Sequence, residues 1–204
     1  MAVKTQQNTK RLSGQKLSNV KVTLKYSGGT KVQYGEVLFK DNGLSGICIF
    51  NLSAFLARQN SFNAKVSIDL LPKLSDDEVE QKLKKRINIK LKNIGEFMQG
   101  LFHKEVNRYI LNSLKIDENQ SVNLKNVTQI AKIIKNLEFD IVSYYENNQV
   151  KVGGICLEDL DKNLQSKQYK NLYFAGEVCN VDGLCGGYNL QWAWTSAKIV
   201  GESL

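Results

Sequence analysis

Residues 172–194 read LYFAGEVCNVDGLCGGYNLQWAW. The run opens apolar, Leu172 to Ala175, and reaches small residues and an acid at Gly176–Glu177. The reading over Asn171–Glu177 is a short strand. A glycine-rich loop follows, Val181 to Gly187, and then a helix from Tyr188 to Val200. That helix carries Leu190, Trp194, Ala197, Ile199 and Val200 on its apolar side. Strand, glycine loop, helix suits a phosphate- or flavin-bearing ligand. Glycines admit a ligand close to the backbone, and the free N–H groups of a helix start attract negative charge. An acid at the strand end, Glu177, can accept hydrogen bonds from sugar or ribityl hydroxyls. The same spacing also fits a turn whose glycines only permit tight packing.

Outward from this run the patterns change. Val20, Val22, Leu24 and Tyr26 alternate with Lys21, Thr23 and Lys25, the period of a half-buried strand. Gly28–Gly29 marks a turn, and Lys31 to Lys40 reads as the return strand of a hairpin. Ile47 to Arg58 fits strand or helix, with its apolar spacing favouring a short buried helix. Ala64 to Leu71 alternates again. At Ser75 the period becomes helical. Ser75 with Glu78 makes a capping box, and Asp76 and Asp77 add first-turn acids. Further helices are predicted near 94–98, 102–114 and 124–134. Strands return at 139–145 and 150–152. The predicted organisation is α+β. Residues 1–74 begin a barrel-like antiparallel β-domain, and 75–136 form a helical insertion. Residues 137–165 return to the β-domain, and 166–204 form the closing strand, glycine-rich loop and helix.

Composition excludes several classes. An apolar share of 42% supports a packed core, and no stretch has the run of apolar residues a membrane span needs. The polar, lysine-bearing start, Met1 to Arg11, is not signal-like, so a cytoplasmic address is expected. The net charge is +8, but the lysines are diffuse; between 75 and 136 the basic surplus is only four. A solvated lysine-rich surface is therefore preferred over a nucleic-acid face. Cys48, Cys156, Cys179 and Cys185 have no C-x-x-C spacing and read as free thiols. His103 is the only histidine; histidine-based metal sites need more ligands than that, no Ser/His/Asp or Cys/His arrangement can be argued from it, and it reads as a surface helix residue. No metal is expected. Trp192 and Trp194 read as packing residues before stacking ones, and Tyr144 and Tyr145 as strand residues that could border a pocket.

Leu172 to Trp194 resembles the closing motif of the YhiN-type, aminoacetone-oxidase-like FAD-binding flavoproteins. GEVLFKDNGLSG at 35–46 and QVKVGGICLEDLD at 149–161 resemble two further family motifs in the same order. The resemblance runs from about Leu17 to the end. It implies an FAD-dependent oxidoreductase using NAD(P)H on a small organic substrate, with 166–204 as the last strand and helix of its Rossmann-like FAD-binding domain. It also implies that the amino-terminal GxGxxG domain is missing here and is this chain's natural partner. The expectation is a fragment inactive alone, whose last helix, left without its sheet, is mobile, packs elsewhere or self-associates. By the resemblance, Gly176 and Glu177 match the strand end at the ribityl chain, and Asp182 and Gly183 match the loop. Gly186, Gly187, Tyr188, Asn189 and Gln191 match the helix start beside the flavin ring, and Gly153 and Gly154 match a glycine pair approaching it. Three departures stand out: Asn180 where the family has Asp, Lys151 where it has Thr, and Ile47 where it has Pro. A basic nucleic-acid- or protein-binding module is the alternative from another class.

Overall fold

In the computed structural model, residues 1–59, 62–89, 91–146 and 151–204 are described. Six antiparallel strands close into a barrel. In chain order they are β1 (Val3–Thr5), β2 (Lys16–Tyr26), β3 (Gly29–Lys40), β4 (Gly43–Ser45), β5 (Ala64–Asp69) and β6 (Leu137–Tyr144). Around the barrel they run β1-β4-β3-β2-β5-β6, and β6 pairs back onto β1. The β2–β3 hairpin turns tightly, with Tyr26 opposite Gly29. The alternation works as expected: Val20, Val22 and Leu24 are buried while Lys21, Thr23 and Lys25 are not. Phe39 and Phe139 meet edge-to-face at the centre, with Tyr109 of the insertion stacked on Phe139.

The ambiguous segment 47–58 is a helix, α1 (Ile47–Gln59), packed on the barrel through Ile49, Leu52 and Leu56. The insertion contains α2 (Asp76–Ile87), α3 (Ile94–Met98), α4 (Lys104–Ser113) and α5 (Leu124–Lys135). Its opening cap forms as read. Ser75 Oγ accepts from Glu78 N, and the Glu78 carboxylate accepts from Ser75 N at 2.7 Å. His103 also serves as a cap: its Nδ1 accepts from Glu105 N at the start of α4. Val79 and Leu83 of α2 and Val127, Ile130 and Ile134 of α5 join the barrel's core cluster. Where the chain leaves and rejoins the barrel, the Lys135 ammonium is almost wholly buried. It pairs with Asp69 at 2.7 Å and donates to the carbonyls of Leu71 and Leu74. Strands from before and after the insertion thus belong to one sheet.

The carboxy-terminal part is of another kind. One predicted strand does not form, and the described part of another is loop. Asn171–Glu177 makes a single bridge, Tyr173 opposite Gln165, and ends in a 3₁₀ turn at Gly176–Val178. The apolar run is strand-like, but a strand exists only through a ladder, and its neighbours in this chain offer isolated bridges. Of 150–152, Val150 lies outside the described residues, and Lys151 and Val152 are loop. The final helix, α6 (Tyr188–Gly201), forms as predicted, and its apolar side was read correctly at Ile199 and Val200 but not at Leu190, Trp194 and Ala197. Leu190 and Trp194 are 71% and 78% exposed, whereas Ser196 is buried and Trp192, Ile199 and Val200 pack inward. The helix has apolar residues on two sides. Two hydrogen bonds select the inner one: Gly176 N donates to Ser196 Oγ, and Trp192 Nε1 donates to the Gly176 carbonyl.

Candidate functional site

A cavity of about 550 Å³ opens between the barrel and the glycine-rich loop. Its barrel wall comes from Lys40, Ser45 and, on α1, Phe50, Asn51, Ala54 and Arg58. The facing wall comes from Glu177, Asp182, Gly183, Cys185, Gly186, Gly187, Asn189 and Trp192. Six of the residues matched by resemblance are therefore brought together. Gly153, Gly154, Gly176, Tyr188 and Gln191 do not line the cavity.

The loop is tied to the helix that follows it by a side chain. Asn189 Oδ1 accepts from Gly183 N at 2.7 Å, so the first turn of α6 ties back to the loop. Gly186 and Gly187 take φ of +135° and +97°, conformations open to glycine and strained for other residues. Gly187 is the N-cap of α6 and supplies no side-chain cap, so side chains leave the first amides of this helix available to a ligand. Gly154 has a different reason to be glycine. A Cβ there would stand 2.3 Å from the Val178 carbonyl oxygen, where Ile155 and Cys179 form a parallel bridge. Its requirement is close backbone packing. Gly176 is held by α6: its N donates to Ser196 Oγ at 2.8 Å and its carbonyl accepts from Trp192 Nε1 at 3.0 Å.

Across the cavity, α1 grips the loop at two points one heptad apart. Asn51 Oδ1 accepts from Cys185 N at 2.8 Å. Arg58 donates through Nε and Nη2 to Asp182 Oδ2, at 3.0 and 2.6 Å, and through Nη2 to Asn180 Oδ1 at 2.9 Å. Asn180 thus serves as an acceptor for Arg58, a job open to an amide as well as an acid. Neither Asn51 nor Arg58 was singled out in the sequence. The available signal was their i, i+7 spacing on a helix whose next turns face the loop. Glu177 Oε1 accepts from Lys151 N at 2.9 Å. The four cysteines stand as free thiols. Burial pushes the Cys48 and Cys179 thiols up, which makes them less nucleophilic. Among the described residues no cluster of His, Cys, Asp and Glu could hold a metal ion, and no helix is long and apolar enough to cross a membrane.

These residues fit a flavin. Uncapped amides behind a glycine pair suit an anionic edge, and Glu177 can accept from hydroxyls. A half-buried Trp192 gives the wall an aromatic surface. Strands, interrupting helices and glycine turn together define a closed antiparallel barrel with a helical insertion and a glycine-rich closing segment. The chain belongs to the family of the HI0933-like protein barrel and H2TH domain, whose model matches residues 1–147. Among its relatives is the 3-dehydro-bile acid delta(4,6)-reductase of Clostridium scindens, 28% identical over 83% of this chain and 44% of that protein. The ribosomal RNA dihydrouridine synthase of Haemophilus influenzae is 32% identical over 84% of this chain and 42% of its own length. The enzyme of that name from Escherichia coli K12 is 28% identical over 82% and 42%. The chain therefore spans less than half the length of the curated relatives it matches.

Proposed function

We propose that this chain forms one side of the flavin site of an FAD-dependent reductase that adds two hydrogens across a carbon–carbon double bond. The carrying observation is the cavity between α1 and the Gly186–Gly187 turn at the uncapped start of α6. A delta(4,6)-reductase and a dihydrouridine synthase are both named for this kind of saturation. A flavin held there and reduced by NAD(P)H, the proposed reductant, would supply the hydride, and a proton drawn from solvent would complete the addition. The chain's own residues do the rest. Gly186, Gly187 and the first amides of α6 receive negative charge at the flavin's edge. Glu177 accepts from hydroxyls of the flavin's chain. Asn51 and Arg58 keep the loop in register with the barrel, so that cofactor and substrate walls meet at a set separation. The adenine- and pyrophosphate-binding part is assigned to the portion of the relatives' length that this chain does not span. The chain alone is proposed to be inactive.

Purification with and without the upstream coding segment tests the reading by visible absorption. A flavin spectrum in the longer protein is expected. A colourless longer protein that also takes up no added FAD would overturn it.

A further inference from the structure

We propose that Lys4, Lys40 and Tyr145 form a nucleotide-phosphate subsite at the barrel side of the cavity. The proposal rests on the reading of that cavity as the redox site and adds the chemistry of what approaches it.

The argument starts from strand register. Gly43 on β4 pairs with Lys4 on β1 and with Lys40 on β3, so the two lysines flank one row of the barrel. The residue between them has no side chain, and none would fit: a Cβ on Gly43 would stand 2.0 Å from the Val3 carbonyl oxygen. Val3 and Thr5 are buried, so Lys4 between them points outward. Tyr145 follows β6 directly. Both ammonium groups lie over its ring, Lys40 Nζ at 4.4 Å and Lys4 Nζ at 5.7 Å from the centroid. The phenol oxygen is fixed by accepting from Asn42 N at 3.3 Å. Lys40 and Tyr145 both line the cavity.

Two cations gathered over one ring repel each other, and the ring's quadrupole offsets only part of that repulsion. A carboxylate would ordinarily complete such a cluster. Among the described residues, no carboxylate forms an ion pair with either lysine, whereas Lys65 and Lys135 each contact two. The missing counter-charge is therefore a ligand's. An anion between two ammoniums, beside an open redox cavity, fits a phosphate whose attached nucleoside enters the cavity. Such a phosphate has two sources: a nicotinamide dinucleotide bringing electrons, or an RNA strand presenting a base for reduction. The basic charge that looked diffuse along the sequence is, at this point, concentrated by the fold.

The test uses the 204-residue chain. NADPH and a short fluorescein-labelled single-stranded RNA are titrated separately, the first by its own fluorescence and the second by anisotropy. The variants are the Lys4→Ala/Lys40→Ala double, the Lys4→Arg/Lys40→Arg double that keeps the charge, and a Lys82→Ala/Lys125→Ala control on the helical insertion. Circular dichroism verifies folding of each. The alanine double is expected to weaken binding of one probe about tenfold relative to the control. If that probe is the RNA, the slope of log affinity against log salt should fall by roughly 1.4, two single-strand phosphate contacts. The arginine double should bind as the unsubstituted chain does. Loss for NADPH alone identifies the electron donor; loss for RNA alone identifies the substrate. Equal binding by the alanine double and the control, or no binding of either probe by the unsubstituted chain, overturns the subsite. Flavin uptake by the longer protein is measured in parallel. A protein that takes up no flavin yet shows lysine-dependent binding sinks the redox reading and leaves the subsite standing. Flavin uptake without lysine-dependent binding does the reverse.

Discussion

In the barrel and its insertion, Phe39, Phe97, Phe139, Leu24 and Ile68 are wholly buried within one continuous cluster of strands and helices. In residues 151–204 the buried cluster consists of Leu160, Leu164 and Cys179, with partly buried neighbours around them. The first region is held by apolar area. The second is held by backbone hydrogen bonds, by a glycine that lets two chain segments touch, and by one face of α6. Its other face leaves Leu190 and Trp194 in solvent. A region so built can be held in place by what covers it, and its stability in this chain should be low and local. The difference also separates roles. The barrel supplies a wall built on apolar packing, while the glycine-rich segment supplies one built on hydrogen bonds.

The largest expected effect comes from the barrel side. Phe139→Ala removes a ring packed between Phe39 and Tyr109 and should cost about 3–5 kcal/mol in a denaturant titration. A loss near zero would mean that the barrel core is not the stabilising unit. On the other side, Gly154→Ala drives a Cβ into the Val178 carbonyl at a φ of +134°. It should cost about 1–3 kcal/mol, confined to the carboxy-terminal segment. Hydrogen exchange would then show faster exchange at the amides of Ile155 and Asn180, which bond across this contact, with barrel amides unchanged. Faster exchange throughout would join the two regions into one cooperative unit and end the contrast.

Alkaline titration probes the junction of barrel and insertion. Burial pushes the Tyr109 hydroxyl from 10.0 up to about 12. The folded state thus holds its proton more tightly than the unfolded state does. Stability from this group is fully present below pH 10 and is lost as pH rises toward 12. Tyr109→Phe should make the fall in melting temperature over that range shallower, and an unchanged fall would remove Tyr109 as its source. The smallest effect is at the insertion's entry: Ser75→Ala deletes a formed capping box and should cost about 1 kcal/mol. That loss should appear in global denaturation, because α2 shares the barrel's core.

Local chemistry was legible where the chain decides matters within a few residues. The alternation of β2, the Ser75–Glu78 box, the helices of the insertion and the helix after Gly186–Gly187 all follow from period and turn chemistry. Such signals are set by backbone geometry and near neighbours, so they need no partner. By contrast, 47–58 could not be assigned, because a short apolar run fits strand or helix until something packs on it. Asn171–Glu177 looked like a strand, and only the absence of a ladder partner among the described residues made it a loop. The inward face of α6 was read correctly at Ile199 and Val200 and missed at Trp192, because two apolar stripes compete on its surface and contact with Gly176 chose between them. The glycine run and Glu177 pointed to a ligand site from sequence alone. Asn51, Arg58, Lys4 and Lys40 did not, since each lies far along the chain from what it touches. Barrel closure, the two-point grip of α1 on the loop and the meeting of two lysines over Tyr145 are long-range geometry. Residues distant in sequence become neighbours only when the sheet curls shut, and that is the part tertiary structure decided.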